Sequence, residues 1–271
     1  MTNSASLNRL PMFAAMIGLA VIGAGGGYLY SQSQDGSSSE GLASVAAKAA
    51  ELETNRAGMS EAERKATEAV VRAYILENPE ILTEAAQILA LRQTAARLGS
   101  AGGALTKAFP GAVDGNPNGD VTLVEFTDYG CGFCRASVAD VQRLIATDKN
   151  LRVVFREVPI LSPASLDAAK WALAAANQGK HKAFHAAMFA GDRPNAASIQ
   201  AAARAAGLDM KRAQADVKSA SVLAEIEANQ GLMQKIGVGG TPTFVVGDQI
   251  MEGALGYDAL KAAIAKARKK A

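Results

Sequence analysis

The sequence predicts an α/β fold carrying a long helical insertion, preceded by an apolar N-terminal segment and a small helical region. Three observations carry that reading. Over residues 121–138 (VTLVEFTDYGCGFCRASV) an apolar run with β-branched residues passes through a glycine-containing turn into an amphipathic stretch, so a buried strand feeds a helix. Residues 151–158 (LRVVFREV) form a second strand closing a β-α-β unit, whose two strands must run parallel. Some 75 residues of helical pattern, 163–237, then intervene before the next strand, too many for a simple crossover.

Bulk properties set outer limits. At 271 residues the chain exceeds the usual single-domain size, so one large domain with appendages is expected. Hydrophobic residues make up 49% and aromatics only 5%, with alanine filling the difference, a balance suited to tightly packed helices. A formal charge of +2, with no basic patch interleaved with aromatics, excludes nucleic acid as the partner. Two cysteines cannot staple a fold of this size.

Taken in order, the chain begins with a candidate membrane segment. After Arg9, residues 12–30 are uncharged and mostly apolar over 19 positions. That is roughly 28 Å as a helix, longer than the ~7–15 residues of a signal-peptide core. Tyr28 and Tyr30 stand where interfacial aromatics belong. Five glycines and the small run Ala24-Gly25-Gly26 keep a cleaved signal peptide open. Residues 1–30 are therefore expected to be an anchor or a signal peptide, and both would export the rest of the chain.

Residues 31–41 (SQSQDGSSSEG) read as a flexible linker. Region 42–98 carries three helical patterns: the stripe Leu42, Val45, Ala49 and Leu52; a helix opened by the capping box Ser60-Glu61-Ala62-Glu63; and a helix begun by Asn78-Pro79. These stripes pack either on the main domain or on other copies as an oligomerisation stalk. Gly99, Gly102 and Gly103 lead into the main domain, 104–271.

There, Pro110-Gly111 and residues 116–119 (NPNG) predict a hairpin before the strand at 121. The insertion reads as helices capped by Ser162-Pro163, Asn195, Asp209 and Ser221, with another over 181–189. Trp171 is expected in the core. His181 and His185, spaced i and i+4, are expected on a solvated helix face for want of a third ligand. A strand at 243–246, a Gly247-Asp248 turn, its partner at 249–251 and a helix over 257–270 complete the domain. The basic end of that helix suits its dipole and needs no partner.

The chemistry lies at the strand–helix junction. Cys131 and Cys134 are the only cysteines, and Cys-x-x-Cys at a helix start has a physical logic. Free backbone N–H groups and the helix dipole stabilise a thiolate at Cys131, while Cys134 lies one turn on, in reach to resolve a mixed disulfide. Zinc wants four ligands and finds too few, and a structural disulfide this small constrains little, so a redox pair is expected and no metal site is assigned. In Thr241–Pro242, a cis bond would turn the backbone and leave its edge open beside the cysteines.

EFTDYGCGFC and GVGGTPTFVV, in this order and separation, resemble the DsbA-like thiol–disulfide oxidoreductases, and the likeness covers about 115–267. Residues 71–85 (VRAYILENPEILTEA) further resemble the N-terminal region of the ScsC-like and Com1-like branch, where some members oligomerise through it. The resemblance implies a thioredoxin fold with an inserted helical domain, Cys131 as nucleophile and Cys134 as resolving thiol. It implies that Gly132 and Phe133 tune the couple, and that Thr241 and Pro242 form the substrate-binding loop. It implies a buried acid at Glu125, placed to exchange a proton with Cys134. Oxidases of the family often carry Val where Thr241 stands, and Thr there is commoner in isomerase and reductase types.

The expected function is an exported protein disulfide oxidoreductase or isomerase needing no cofactor beyond the Cys131–Cys134 couple. It would act on unfolded or partly folded exported proteins, and a membrane or soluble redox partner would reset it. A homo-oligomer is expected of the stalk reading. The expected place is the periplasmic side of the bacterial inner membrane, tethered by residues 12–30 or soluble if that segment is cleaved. The rival is a soft-metal module in which the thiols sequester Cu(I).

Overall fold

A computed structural model of the chain describes Lys48 and residues 58–270. The expected membrane segment, the linker and the first helical stripe lie outside the described residues. Among the described residues no helix is long and apolar enough to cross a membrane. The chain divides into two compact units, 1–82 and 83–271.

In the first unit, α1 (Glu61–Glu77) opens on the expected capping box. The Ser60 hydroxyl accepts from the Glu63 N–H, and the Glu63 carboxylate accepts from the Ser60 N–H at 2.8 Å. No residue of α1 is buried. The Asn78 backbone N–H and side-chain amide both donate to the Tyr74 carbonyl and close α1, while its own carbonyl accepts from the Ile81 N–H at the start of the next helix. α2 (Glu80–Ala101) comes next, and its last turn buries Leu98 and Ala101.

The second unit is built on a five-stranded sheet in the order β1-β3-β2-β4-β5. β2 (Val121–Thr127) and β3 (Leu151–Glu157) are parallel, joined through α3 (Gly132–Thr147), as the β-α-β reading requires. β4 (Thr243–Val246) runs antiparallel to β2, and β5 (Gln249–Glu252) antiparallel to β4. β1 (Val113–Gly115) differs from the expected hairpin, because it pairs antiparallel with β3 and not with β2. The turn explains it: Asn116 N–H donates to the Leu151 carbonyl, so the chain leaves β1 past the start of β3 before entering β2.

Both faces of the sheet are covered, which is why β2 and β3 read as nearly continuous apolar runs. On one face Leu123, Val153, Phe244 and Val246 pack with Val141 and Leu144 of α3 and with Leu260 and Ile264 of α9 (Tyr257–Arg268). On the other, Val124, Phe126, Val154 and Val245 meet Leu98, Met233 and Ile236. Each large apolar side chain buried here contributes about 1.5–3 kcal/mol. The basic end of α9 does have partners: Arg268 reaches Asp120 and Asp148, each at 2.9 Å.

The insertion comprises α4 (Pro163–Ala176), α5 (His181–Ala190), α6 (Ala196–Ala205), α7 (Met210–Asp216) and α8 (Ala220–Lys235). Ser162, Asn195 and Asp209 cap their helices as expected, while α8 is capped by Ser219 and not Ser221. Alanines at 168, 172, 174 and 175 are buried, and with no side chain beyond Cβ they leave room for Phe184, Met188 and Phe189 of α5. Trp171 packs half-buried against the same cluster. The His181–His185 face of α5 is buried rather than solvated, because it turns towards the end of β3.

Candidate active site around Cys131 and Cys134

β2 ends at Thr127, and the three residues before Cys131 decide how the thiol is presented. Asp128 is buried, and its carboxylate binds two loops at once. Oδ1 accepts from the Gly130 N–H at 2.7 Å, an Asx turn. Oδ2 accepts from the N–H groups of Ile160 and Leu161 at 2.9 and 3.0 Å. The loop leading to Cys131 is thereby pinned to the loop leaving β3. A Cβ at Gly130 would lie 2.6 Å from Ser165 Oγ, so that hydroxyl would have to shift to admit a side chain. Gly132, between the cysteines, has nothing within 4 Å of that position.

Cys131 is the N-cap of α3, with extended backbone, and its sulfur accepts from the Cys134 N–H at 3.4 Å. One of the N–H groups of the first helical turn is thereby directed at this sulfur. The thiol also donates to the Thr241 carbonyl at 3.1 Å. Thr241–Pro242 is a cis peptide, as expected from the sequence. Residues 110 positions apart are therefore in direct contact at one sulfur.

Cys131 is 7% exposed and Cys134 is fully buried one turn behind it, both as free thiols. Burial pushes the Cys134 thiol well above the usual range, and the neighbouring Cys131 adds to it. Hydrogen bonds from Asp128, Thr241 and Thr127 pull the other way without cancelling the burial. Glu125, on β2, alternates with Leu123 and Thr127 towards the α3 face. It is 1% exposed, its Oε1 has no hydrogen-bond partner, and burial first, then the charge of Glu157, pushes its carboxyl up to about 8.

Of the residues singled out from sequence, Cys131, Cys134 and Thr241 meet directly, and Pro242 is buried as the loop enters β4. Gly132 and Phe133 stand at the open start of α3, Phe133 with 69% of its surface in solvent. Exposed Ile160 and Leu161 sit beside this opening, held there by Asp128. Sequence reasoning passed over them and over Asp128, although Asp two residues before a glycine is an Asx-turn signal. It also missed a buried polar cluster formed by Tyr129, Glu157, His181 and His185. There, burial keeps the Tyr129 phenol protonated, raises the Glu157 carboxyl and holds His185 neutral.

Residues 108–266 match the family described as Thioredoxin, and residues 63–96 match the family described as Copper resistance protein ScsC N-terminal domain. A solved thioredoxin-like oxidoreductase from Silicibacter pomeroyi DSS-3 is 45% identical, over 60% of this chain and 95% of its own, with a TM-score of 0.58. The thiol–disulfide exchange protein α-DsbA2 from Wolbachia pipientis is 29% identical over 66% of this chain and 97% of its own (TM-score 0.62). ScsC from Proteus mirabilis, in a transitional conformation, is 26% identical over 79% and 99% (TM-score 0.59). Among curated proteins, a Na+/H+ antiporter NhaA 3 from Salinispora tropica is 28% identical over 191 residues. The chain spans 29% of that relative's length and 24% of the next. Because the family match runs unbroken through both cysteines and the Thr241–Pro242 loop, and a second covers the helices before them, the chain belongs to the thioredoxin family, in its DsbA-like, ScsC branch.

Proposed function

We propose that the chain exchanges disulfides with unfolded or partly folded exported proteins. The observation that carries this is the asymmetry of the pair: one sulfur at a helix start against a backbone carbonyl, the other buried behind it. In the oxidising direction a substrate thiolate attacks Cys131 Sγ, the Cys131–Cys134 bond breaks, and Cys134 leaves as a thiolate. Glu125, protonated below about pH 8, is the group this reading assigns to return a proton to that leaving group. A second substrate thiolate then attacks the substrate sulfur of the mixed disulfide and releases Cys131 as the thiolate. The substrate loses two electrons, the pair gains them, and a partner disulfide must accept them to reset the cycle.

The Thr241 backbone edge docks an extended substrate segment by strand addition. Phe133, Ile160 and Leu161 supply an apolar rim suited to chains whose hydrophobic residues are still exposed. In the isomerising direction reduced Cys131 attacks a substrate disulfide, and the same edge holds the product while a different substrate thiol resolves it. Thr241 supports that direction, and the charge state of Glu125 supports oxidation. A periplasmic location is supported by a relative from Salmonella enterica that is a periplasmic thioredoxin-like protein.

The test is thiol transfer to a reduced, denatured disulfide protein. The oxidised chain should restore its disulfides stoichiometrically, Cys131→Ser should restore none, and Cys134→Ser, offered instead a disulfide-bonded substrate, should trap a mixed disulfide through Cys131 on a non-reducing gel. The rival reading, Cu(I) held by the two thiols, is supported by the description of the family matching residues 63–96. It predicts no transfer by the parent and Cu(I) binding lost equally in both serine variants.

A further inference from the structure

His181 and His185 are the chain's only two histidines, and the thiol chemistry uses neither. Their spacing on α5 offers two ligands of a metal site, and the fold supplies what the sequence left missing. Glu157, the last residue of β3, brings Oε1 to 3.0 Å from His181 Nε2. Tyr129 donates to the same oxygen at 3.1 Å, and its hydroxyl lies 3.2 Å from His185 Nδ1. One ligand atom from each of Glu157, His181 and His185 falls within 4.8 Å of the other two. All three side chains are buried, at 0%, 1% and 3% exposure.

The cluster's own hydrogen bonds do not use up its polar atoms. Glu157 Oε2 and His181 Nδ1 are buried with no hydrogen-bond partner. An unpaired buried carboxylate oxygen is costly, and a native fold normally gives it a partner. The donor set also has a chemical preference. One carboxylate, two imidazoles and a phenol oxygen are nitrogen and oxygen ligands of the kind zinc accepts, with three protein ligands and a fourth position. Tetrahedral zinc with ligand bonds near 2.0–2.1 Å sets its donors about 3.3 Å apart. The contacts of 3.0–3.2 Å around Glu157 and Tyr129 would open slightly to admit it, and the remaining ligand pairs, within 4.8 Å, would close on it.

We infer that Glu157, His181 and His185, with the Tyr129 hydroxyl completing the set, form a structural site for a divalent cation of the zinc type. It contains no sulfur, so it is distinct from a soft-metal site at Cys131 and Cys134, and it stands whether or not the redox reading does. Its consequence is mechanical. A bound ion ties the end of β3 and α5 to Tyr129, two residues before Cys131. The platform of the thiol pair is then fastened from below.

The experiment uses the untagged full chain with Cys131 and Cys134 joined as a disulfide, so that neither thiol ligates. Equilibrium dialysis against zinc sulfate should retain one zinc per chain. Because the chain has no other imidazole, His185→Gln reports on this site alone. His185→Gln and Glu157→Gln should each weaken binding beyond the roughly 10–100-fold that losing an outer partner costs. Cobalt(II) in the parent should give the intense visible bands of a tetrahedral ion, a readout that stands even if both variants fail to fold. No retained zinc, equal retention by folded Glu157→Gln, or the weak bands of an octahedral surface ion would each overturn the assignment.

Discussion

Two regions of this chain invert the usual placement of polar and apolar side chains, in opposite senses. Beneath the thiol pair, Glu125, Glu157, His181 and His185 are each no more than 3% exposed. Along α1, Val70, Val71 and Tyr74 share one helical face and are 69%, 50% and 58% exposed. Ionisable groups are almost never fully buried unless something compensates them, and a helix that buries nothing gains little from its apolar face. The difference lies in where each imbalance is resolved. The buried groups find what partners they have inside the same fold, whereas the α1 face asks for cover from outside. A second copy of this chain is the occupant we propose, on the stalk reading of residues 42–98; the charged residues of α1 pair among themselves, Arg64 bridging Glu61 and Glu68 at 2.7 and 2.8 Å.

The sharpest way to break the first half of this contrast is Glu125→Gln. A carboxyl raised from 4.5 to about 8 on folding gives stability that is full below the unfolded value and lost as pH rises through the folded one. Urea unfolding of the parent should therefore weaken by up to about 4–5 kcal/mol between pH 4.5 and pH 9 through this group. The glutamine variant should lack that part of the decline. Parallel pH curves for the two proteins would mean that Glu125 carries no proton for Cys134 to use.

A smaller effect is expected at Asp128, where the buried carboxylate is fully engaged in hydrogen bonds. Asp128→Ala removes acceptors from the Gly130, Ile160 and Leu161 amides and should cost about 3 kcal/mol in chemical denaturation. Disulfide transfer should fall with it as the rim loosens. A cost under about 0.5 kcal/mol, the range of ordinary surface changes, would show that the two loops hold without this pin.

The smallest effect on the folded chain belongs to the exposed face. Val70→Ser with Tyr74→Ser should leave dilute-protein stability within about 0.5 kcal/mol of the parent. Light scattering should nevertheless show a smaller assembly for the double variant. If both proteins scatter alike and the variant is clearly less stable, α1 is covered by its own chain and the contrast fails.

The sequence disclosed what depends on near neighbours. Cys131 at a helix start, the parallel β2–β3 unit, the capping box at Ser60 and the helical insertion all derive from local pattern, and the structure has each of them. What it withheld depends on distant chain. β1 pairs with β3 because of where Asn116 meets Leu151, a contact no local pattern encodes. The α5 histidines read as solvated for want of a third ligand, because Glu157, which meets them in the fold, lies 24 residues away from His181. Periodicity likewise finds a stripe on α1 without saying what lies against it.

The two glycines flanking Cys131 have different futures under mutation. At position 130 a Cβ would lie 2.6 Å from Ser165 Oγ and 3.3 Å from Asp128 Oδ1, so both side chains would have to give way. Position 132 is open on every side and lies at the first turn of α3, where most residues are accepted. A side chain introduced at 132 would therefore stand beside the Cys131 sulfur without colliding with the rest of the fold. A side chain at 130 would meet the Asp128 turn instead.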